Sequence, residues 1–146
     1  DISFDIVPGI TAAFAAAAEA EIPLTFREGA HSLVFATGHD ADGRTLPDWT
    51  NLALAGATVA VYMGRSVAGE VAARLIEAGL NASTPVAVIE HASRADRRAY
   101  AGRLDELGVI AARPELTGPV LILVGEVVAL GAKVETPAAL SDLRAA

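Results

Sequence analysis

The sequence Thr58-Val-Ala-Val-Tyr-Met63 decides the fold, because almost all of its residues are apolar or β-branched. A run without polar alternation is typical of a strand that is covered on both faces. A second such run follows at Pro85-Val-Ala-Val-Ile-Glu90, and residues 66–78 between them carry an apolar stripe at helical spacing, with Ser66 as a plausible N-cap. Strand, helix and strand in this order predict an α/β fold with a mixed, mostly parallel sheet flanked by helices.

Further elements are predicted on both sides of this unit. Apolar or alternating runs indicate strands, and the alanine-rich run after Thr11 indicates a helix, since alanine is the best helix former. The predicted strands cover residues 2–7, 31–37, 99–104 and 118–124, the helix covers 11–20, a helical turn covers 52–54, a polar loop covers 38–48, and a terminal tail or helix covers 138–146. Because no linker or repeat interrupts these elements, residues 1–146 are predicted to form one compact domain.

The composition excludes several classes of function. The chain has 146 residues, of which 53% are apolar and 20% charged, so it can bury a large core. It contains no cysteine, which excludes disulfides, zinc–thiolate sites and a cysteine nucleophile, and which fits a cytoplasmic location. The net charge of −7 argues against a nucleic-acid partner, and no apolar run reaches the length of about 18 residues that a membrane span requires.

The basic residues are ten arginines and a single lysine, Lys133. Arginine binds carboxylates through two parallel hydrogen bonds, which lysine cannot do, so this bias fits an anionic ligand. A GC-rich genome would produce the same bias without any ligand. The arginine content therefore leaves both interpretations open.

The segment Val7-Pro-Gly-Ile-Thr-Ala-Ala13 predicts a tight turn that leads from a strand into a helix. Such a turn presents backbone N–H groups and the Thr11 hydroxyl to a crevice at the end of a sheet. Thr11 could equally be an ordinary helix cap. Taken alone, this segment predicts either a ligand-binding turn or a structural one.

Six motifs follow one another in a characteristic order. They are Val7-Pro-Gly-Ile-Thr-Ala-Ala13, Ile22-Pro-Leu-Thr25, Thr37-Gly-His39 with Asp42-Gly43 and Asp48-Trp49, Val61-Tyr-Met-Gly64, Pro85-Val-Ala-Val-Ile-Glu90 and Val124-Gly-Glu-Val-Val128. Together they resemble the C-terminal half of the uroporphyrinogen-III C-methyltransferases, within the tetrapyrrole methylase family. The resemblance implies the C-terminal domain of a two-domain enzyme, usually a homodimer, with the N-terminal domain absent from this chain.

The same resemblance implies S-adenosylmethionine as the cofactor, bound in a cleft between the two domains. Thr11 and Ala12 match family positions that contact it. Met63 matches a methionine whose backbone meets the adenine, and Ala92 matches a small residue where the backbone approaches the cofactor. Judged without the resemblance, Met63 could be an ordinary core residue at the end of a strand. No catalytic residue and no metal ligand is implied for this half of the enzyme.

Arg27 and His31 are the residues implied to bind the substrate, which is a macrocycle with eight carboxylates. The family usually has Leu-Thr-His-Arg where this chain has Leu24-Thr-Phe-Arg27, so Phe26 replaces the family histidine. Without the resemblance, Arg27 could be a surface ion-pair residue and His31 a structural residue at the start of a strand. His39 belongs to the Thr-Gly-His motif, and no role is assigned to it.

The implied activity is methyl transfer from S-adenosylmethionine to C2 and C7 of uroporphyrinogen III, which gives precorrin-2 for sirohaem or cobalamin synthesis. A chain that holds only part of the cleft is expected to be inactive alone. Two alternatives remain: a sister precorrin methyltransferase, or a non-catalytic domain for dimerisation or ligand binding. In the second alternative, the alanine-rich helix and residues 120–130 would form the dimer surface.

Overall fold

The computed structural model describes residues 2–38 and 49–135. The predicted polar loop beyond Gly38, which includes His39, and the predicted tail at 138–146 lie outside the described residues. The strands are β1 (Leu33–Thr37), β2 (Thr58–Tyr62), β3 (Pro85–Glu90), β4 (Arg98–Arg103) and β5 (Val120–Val124). The helices are α1 (Ala12–Ala20), α2 (Thr50–Leu54), α3 (Ala68–Glu77) and α4 (Leu107–Ala111), and 3-10 turns cover Arg65–Val67, Leu104–Glu106 and Glu126–Leu130.

The five strands form one sheet in the order β1-β2-β5-β3-β4. The α/β class and the mixed sheet flanked by helices are confirmed, but the expectation of mostly parallel pairing is wrong. β1 pairs in parallel with β2, and the other three strand pairs are antiparallel. β2 and β3 do run in the same direction, yet β5 lies between them and runs the opposite way. The turn at residues 91–97 is too short for a crossover, so β4 returns antiparallel beside β3.

Residues 2–7 do not form the predicted buried strand. They have no regular secondary structure, and their apolar side chains are exposed, for example Ile2 at 92% and Phe4 at 81%. Their alternating pattern predicted a strand, but no strand of the described chain pairs with them. A strand needs hydrogen-bonding partners as well as an apolar pattern, and this segment has the pattern alone.

One face of the sheet packs against α3 and α4. Leu75, Leu107 and Ile110 are fully buried there against strand residues such as Val59 and Ile122. The predicted helix between β2 and β3 is confirmed, but it begins at Ala68 after a 3-10 turn, so Val67 and not Ser66 is its N-cap.

The opposite face packs against α1. Its residues Ala13, Ala16, Ala17 and Ala20 recur at helical spacing and are 0–2% exposed. They cover the other side of β2 at Ala60, so the prediction that β2 is buried on both faces is confirmed. Small side chains on both elements let the helix lie close to the sheet.

No helix within residues 2–38 and 49–135 combines the length and the apolar character that would be needed to cross a bilayer.

Candidate functional site

Two adjoining cavities open at the edge of the sheet where β2 and β3 end and β5 begins. Their volumes are about 750 and 310 Å³, which suits a small organic ligand. Tyr62, Pro119 and Val120 line both of them. The larger cavity is also lined by Met63, Arg65, Ser66, Ala111, Ala112 and Gly118, and the smaller one by Ala12, Ile89, His91, Ala92, Arg94 and Leu121.

The four residues predicted to bind the cofactor are brought together at this edge. Ala12 and Ala92 line the smaller cavity and Met63 lines the larger one. Thr11 is hydrogen-bonded through its hydroxyl to Tyr62, which lines both cavities. Their role in cofactor binding remains a prediction, but their clustering satisfies its geometric condition.

Arg27 and His31, predicted to bind the substrate, line neither cavity. Both are exposed and lie in the irregular segment that enters β1 from its amino end. β1 runs parallel to β2, so this segment is at the edge of the sheet opposite to the cavities. Their role stays a prediction and finds no support in the cavity geometry of the described chain.

Tyr62 lines both cavities and was not among the predicted site residues. It is the last residue of β2, and its hydroxyl oxygen accepts a hydrogen bond from the Ala13 N–H over 3.0 Å. The same hydroxyl shares a hydrogen bond with Thr11 Oγ1. The signal was present in the sequence, because a tyrosine within an apolar strand normally needs a partner for its hydroxyl.

Met63 and His91 turn the chain sharply at the two strand ends. Each directly follows its strand and has a φ of 52°, in the left-handed region that residues other than glycine seldom adopt. The Met63 side chain is 62% exposed, so Met63 is not the ordinary core residue of the alternative interpretation. Left-handed residues of this kind cost about 1 kcal/mol or more and cluster at functional sites.

Glu90, the last residue of β3, is fully buried and holds the loop before β5 in place. Its carboxylate accepts hydrogen bonds from the backbone N–H groups of Thr117 and Gly118 and from the Arg98 guanidinium. Burial on its own would raise the pKa of Glu90, but these three hydrogen bonds outweigh it and lower the pKa below its ordinary value. The apolar pattern of the sequence indicated Glu90 only as the end of a strand and gave no sign of these hydrogen bonds.

The His91 ring packs directly on Gly118, which lines the larger cavity. A Cβ atom at Gly118 would lie 1.7 Å from His91 Nε2, so the contact requires glycine. On its other side the ring is held by Asp96, with 2.9 Å between His91 Nδ1 and Asp96 Oδ2. Asp96 also accepts a hydrogen bond from Arg94, and this contact contributes most to lowering the pKa of Asp96.

The walls are mainly apolar but include two arginines, Arg65 and Arg94, and they suit a ligand that has a flat heterocycle and some polar groups. Alanine side chains leave room for close approach, and the Met63 thioether adapts to a flat heterocycle. Arg65 and Ser66 add polar groups to one side of the larger cavity. In the part of the chain that the structure describes, no group of three histidine, aspartate or glutamate residues could hold a metal ion.

Fold and site together define the class: a mixed α/β domain with two adjoining cavities where β2 and β3 end and β5 begins. The chain belongs to the tetrapyrrole (corrin/porphyrin) methylase family, whose sequence profile matches residues 1–108. The family resemblance carried by the six motifs is thereby confirmed.

Curated relatives and solved structures agree with this assignment. A siroheme synthase of Pseudoalteromonas translucida is 42% identical over 92% of the chain, and one of Serratia proteamaculans is 47% identical over 88%. Among solved structures, a cobalt precorrin-4 methyltransferase aligns with a TM-score of 0.75 at 27% identity over 85% of the chain. A uroporphyrin-III C-methyltransferase of Thermus thermophilus, complexed with S-adenosylhomocysteine, aligns at 0.70 and 29% identity over 86%.

The chain spans 30% and 27% of the lengths of these two siroheme synthases. It spans 52% and 54% of the two structural relatives.

Proposed function

We propose that the full gene product containing this chain transfers methyl groups from S-adenosylmethionine to C2 and C7 of uroporphyrinogen III and so forms precorrin-2. The observation that carries this proposal is the meeting of Ala12, Met63 and Ala92 at one pair of cavities. The siroheme synthase relatives and the Thermus thermophilus methyltransferase support it. Residues 1–146 would be the C-terminal domain of a two-domain, cytoplasmic homodimer and would be inactive alone.

The cavity residues fit S-adenosylmethionine. The alanines at positions 12 and 92 leave space for a nucleoside in the smaller cavity, whereas the missing side chain of Gly118 makes room for the His91 ring. The Thr11 hydroxyl, the Met63 backbone and the loop held by Glu90 would bind and orient the adenosyl group. When bound, this cofactor supplies an activated methyl group on a sulfonium, which an electron-rich pyrrole carbon can attack.

For such a reaction this chain needs to align two ligands and exclude water, and it needs no acid–base pair of its own. The mainly apolar lining of the smaller cavity would limit the access of water to a bound ligand, and the strand ends would fix the orientation of that ligand. As part of the same proposal, Arg27 and His31 bind substrate carboxylates, with the support of the family motif and no support from the cavities.

A second candidate is a sister enzyme that methylates a later precorrin. The cobalt precorrin-4 methyltransferase favours it, since its TM-score of 0.75 exceeds the 0.70 of the Thermus thermophilus enzyme. The non-catalytic alternative has less support. The surfaces proposed for dimerisation are largely covered, because the alanine face of α1 and the residues at positions 121–124, 127 and 128 are buried within the described chain.

The test is a methyl-transfer assay with the full gene product, S-adenosylmethionine and purified uroporphyrinogen III. We expect a product with two added methyl groups, located at C2 and C7 by nuclear magnetic resonance. Transfer to a later precorrin alone would select the sister-enzyme candidate. If no methyl group is transferred to any of these substrates, the proposal is rejected, even if the protein binds S-adenosylhomocysteine.

A further inference from the structure

Tyr62 connects three elements at the proposed cofactor site. It ends β2, its ring lies 6.5 Å from the Phe35 ring of β1, and Phe35 in turn lies 6.0 Å from the Phe14 ring of α1. Its hydroxyl also contacts the start of α1 directly, through hydrogen bonds with the Thr11 hydroxyl and the Ala13 N–H. The aromatic contacts therefore fix the ring, and the ring fixes the position of the hydroxyl.

Helix α1 depends on this hydroxyl at its first turn. The N-cap residue Thr11 has extended backbone angles, but its side chain makes no capping hydrogen bond to its own helix. The Ala13 N–H, which such a cap would satisfy, donates to Tyr62 Oη instead. The Tyr62 hydroxyl can donate its own proton to Thr11 Oγ1, so the same oxygen atom accepts from the Ala13 N–H and donates to Thr11.

We propose that Tyr62 is a positioning residue of the cofactor site, whose hydroxyl caps α1 from the sheet, bonds Thr11 and so holds Ala12 at the wall of the smaller cavity. The inference rests on the proposed function, because it assumes that S-adenosylmethionine occupies these cavities. Removal of the hydroxyl leaves the ring in place and frees the start of α1. The start of α1 then has to be ordered each time the cofactor binds, and the free energy that this ordering costs reduces the affinity.

The first experiment compares Tyr62→Phe with the unaltered full gene product. We expect the Kd for S-adenosylhomocysteine, measured by calorimetry, to rise roughly three- to tenfold, as for the loss of one helix cap. The KM for S-adenosylmethionine should rise by a similar factor, while kcat stays within about twofold and the KM for the tetrapyrrole is unchanged. A residue that only supported the fold would not produce this selective change.

The chain offers a matched control in its other tyrosine, Tyr100. Its ring packs beneath the Arg113 guanidinium, 4.5 Å from the ring centroid, and it lines neither cavity. Tyr100→Phe removes the same hydroxyl and should leave the Kd for S-adenosylhomocysteine unchanged. If both variants weaken binding equally, the specific role of Tyr62 is rejected.

Thr11→Val provides a second route that does not alter the strand. Valine keeps the shape of threonine and removes the oxygen that bonds Tyr62, so we expect the Kd to rise roughly threefold. Because Thr11 is itself proposed to contact the cofactor, the double variant distinguishes the two roles: the two hydroxyls share one hydrogen bond, so the effects of the two substitutions should not add if Tyr62 acts through Thr11, and full additivity would reject the inference. If Tyr62→Phe fails to fold, an unchanged Kd in Thr11→Val rejects the inference by itself.

The results separate this inference from the proposed function. If the unaltered protein neither binds S-adenosylhomocysteine nor transfers methyl groups, the proposed function fails. If the unaltered protein binds and transfers, and Tyr62→Phe has the same Kd and KM, the function stands and the role of Tyr62 is overturned.

Discussion

Glu90 and Arg98 lie directly opposite one another in the antiparallel β3–β4 pair, and the Arg98 guanidinium donates to Glu90 Oε2 over 2.8 Å. The pair is unequal, since the Glu90 side chain is fully buried and that of Arg98 is 42% exposed. Two backbone N–H groups before β5 complete the hydrogen bonding of the carboxylate. One buried charge thus connects β3, β4 and the loop that forms a wall of the larger cavity.

Replacement of Glu90 by glutamine should destabilise the protein. The amide keeps the shape of the side chain, but it presents one oxygen instead of two and carries no charge, so at least one buried donor loses its partner. We expect the free energy of unfolding to fall by about 1–3 kcal/mol, as measured by urea denaturation. Glu115→Gln is the control, because the Glu115 side chain is half exposed and its ion pair with Arg113 is at 3.6 Å. An equal loss in both variants would contradict the structural role of Glu90.

The lowered pKa of Glu90 also predicts how stability depends on pH. A carboxyl group whose pKa is lower in the folded state contributes stability above its unfolded pKa and loses it as the pH falls through the folded pKa. We therefore expect the unaltered protein to lose stability more steeply than Glu90→Gln from the ordinary glutamate value of 4.5 downward. Urea denaturation at a series of pH values tests this, and parallel curves for the two proteins would show that Glu90 does not contribute.

Gly118→Ala should disturb the site through His91. The added methyl group would lie 1.7 Å from His91 Nε2, so either the ring or the loop must move. Such overpacking costs about 1–3 kcal/mol, and we expect weaker binding of S-adenosylhomocysteine as well. Gly9→Ala is the control, since a Cβ atom there meets nothing within 4 Å.

A rescue experiment identifies the cause of this effect. The double variant Gly118→Ala with His91→Ala removes the ring that the new methyl group meets. Stability should be partly restored relative to Gly118→Ala alone, as measured by thermal denaturation. If the double variant is the sum of the two single variants, the clash is not the cause.

Ala92→Leu should fill part of the smaller cavity, which has a volume of about 310 Å³. We expect binding of S-adenosylhomocysteine to weaken by more than about tenfold, with an unchanged fold by circular dichroism. Ala95→Leu is the control and should leave binding unchanged, because Ala95 lies in the same turn, is exposed and lines neither cavity. Unaltered binding in Ala92→Leu would place the cofactor elsewhere.

The sequence predicts the buried elements well and the pairing of strands less well. β2, β3, α1 and α3 follow from local apolar patterns, which report burial directly. The direction of β5 depends on contacts with strands far away in the sequence, so no local pattern contains it. Residues 2–7 have the apolar pattern of a strand, but such a pattern does not reveal whether a partner strand is present.

The same distinction applies to the site. Ala12, Met63 and Ala92 were predicted from the family resemblance, and in the structure they lie at the start of α1 and just after β2 and β3. Tyr62 and Glu90 were missed, because each is a single polar residue at the end of an apolar run and its partners are distant in sequence. Glu90 bonds residues 27 and 28 positions away, and Tyr62 bonds one 51 positions away.

The position of β5 also determines when the sheet can form. Among the strands of the described residues, β5 is the last in sequence but the central one in space, and both β2 and β3 pair with it. During synthesis, the edges of β2 and β3 that pair with β5 therefore stay unpaired until the ribosome has released the chain as far as Val124. Long-range strand pairing is slow and leaves open edges that can pair with other chains. Chaperone dependence and aggregation during expression should thus depend on how soon β5 follows β3 out of the ribosome.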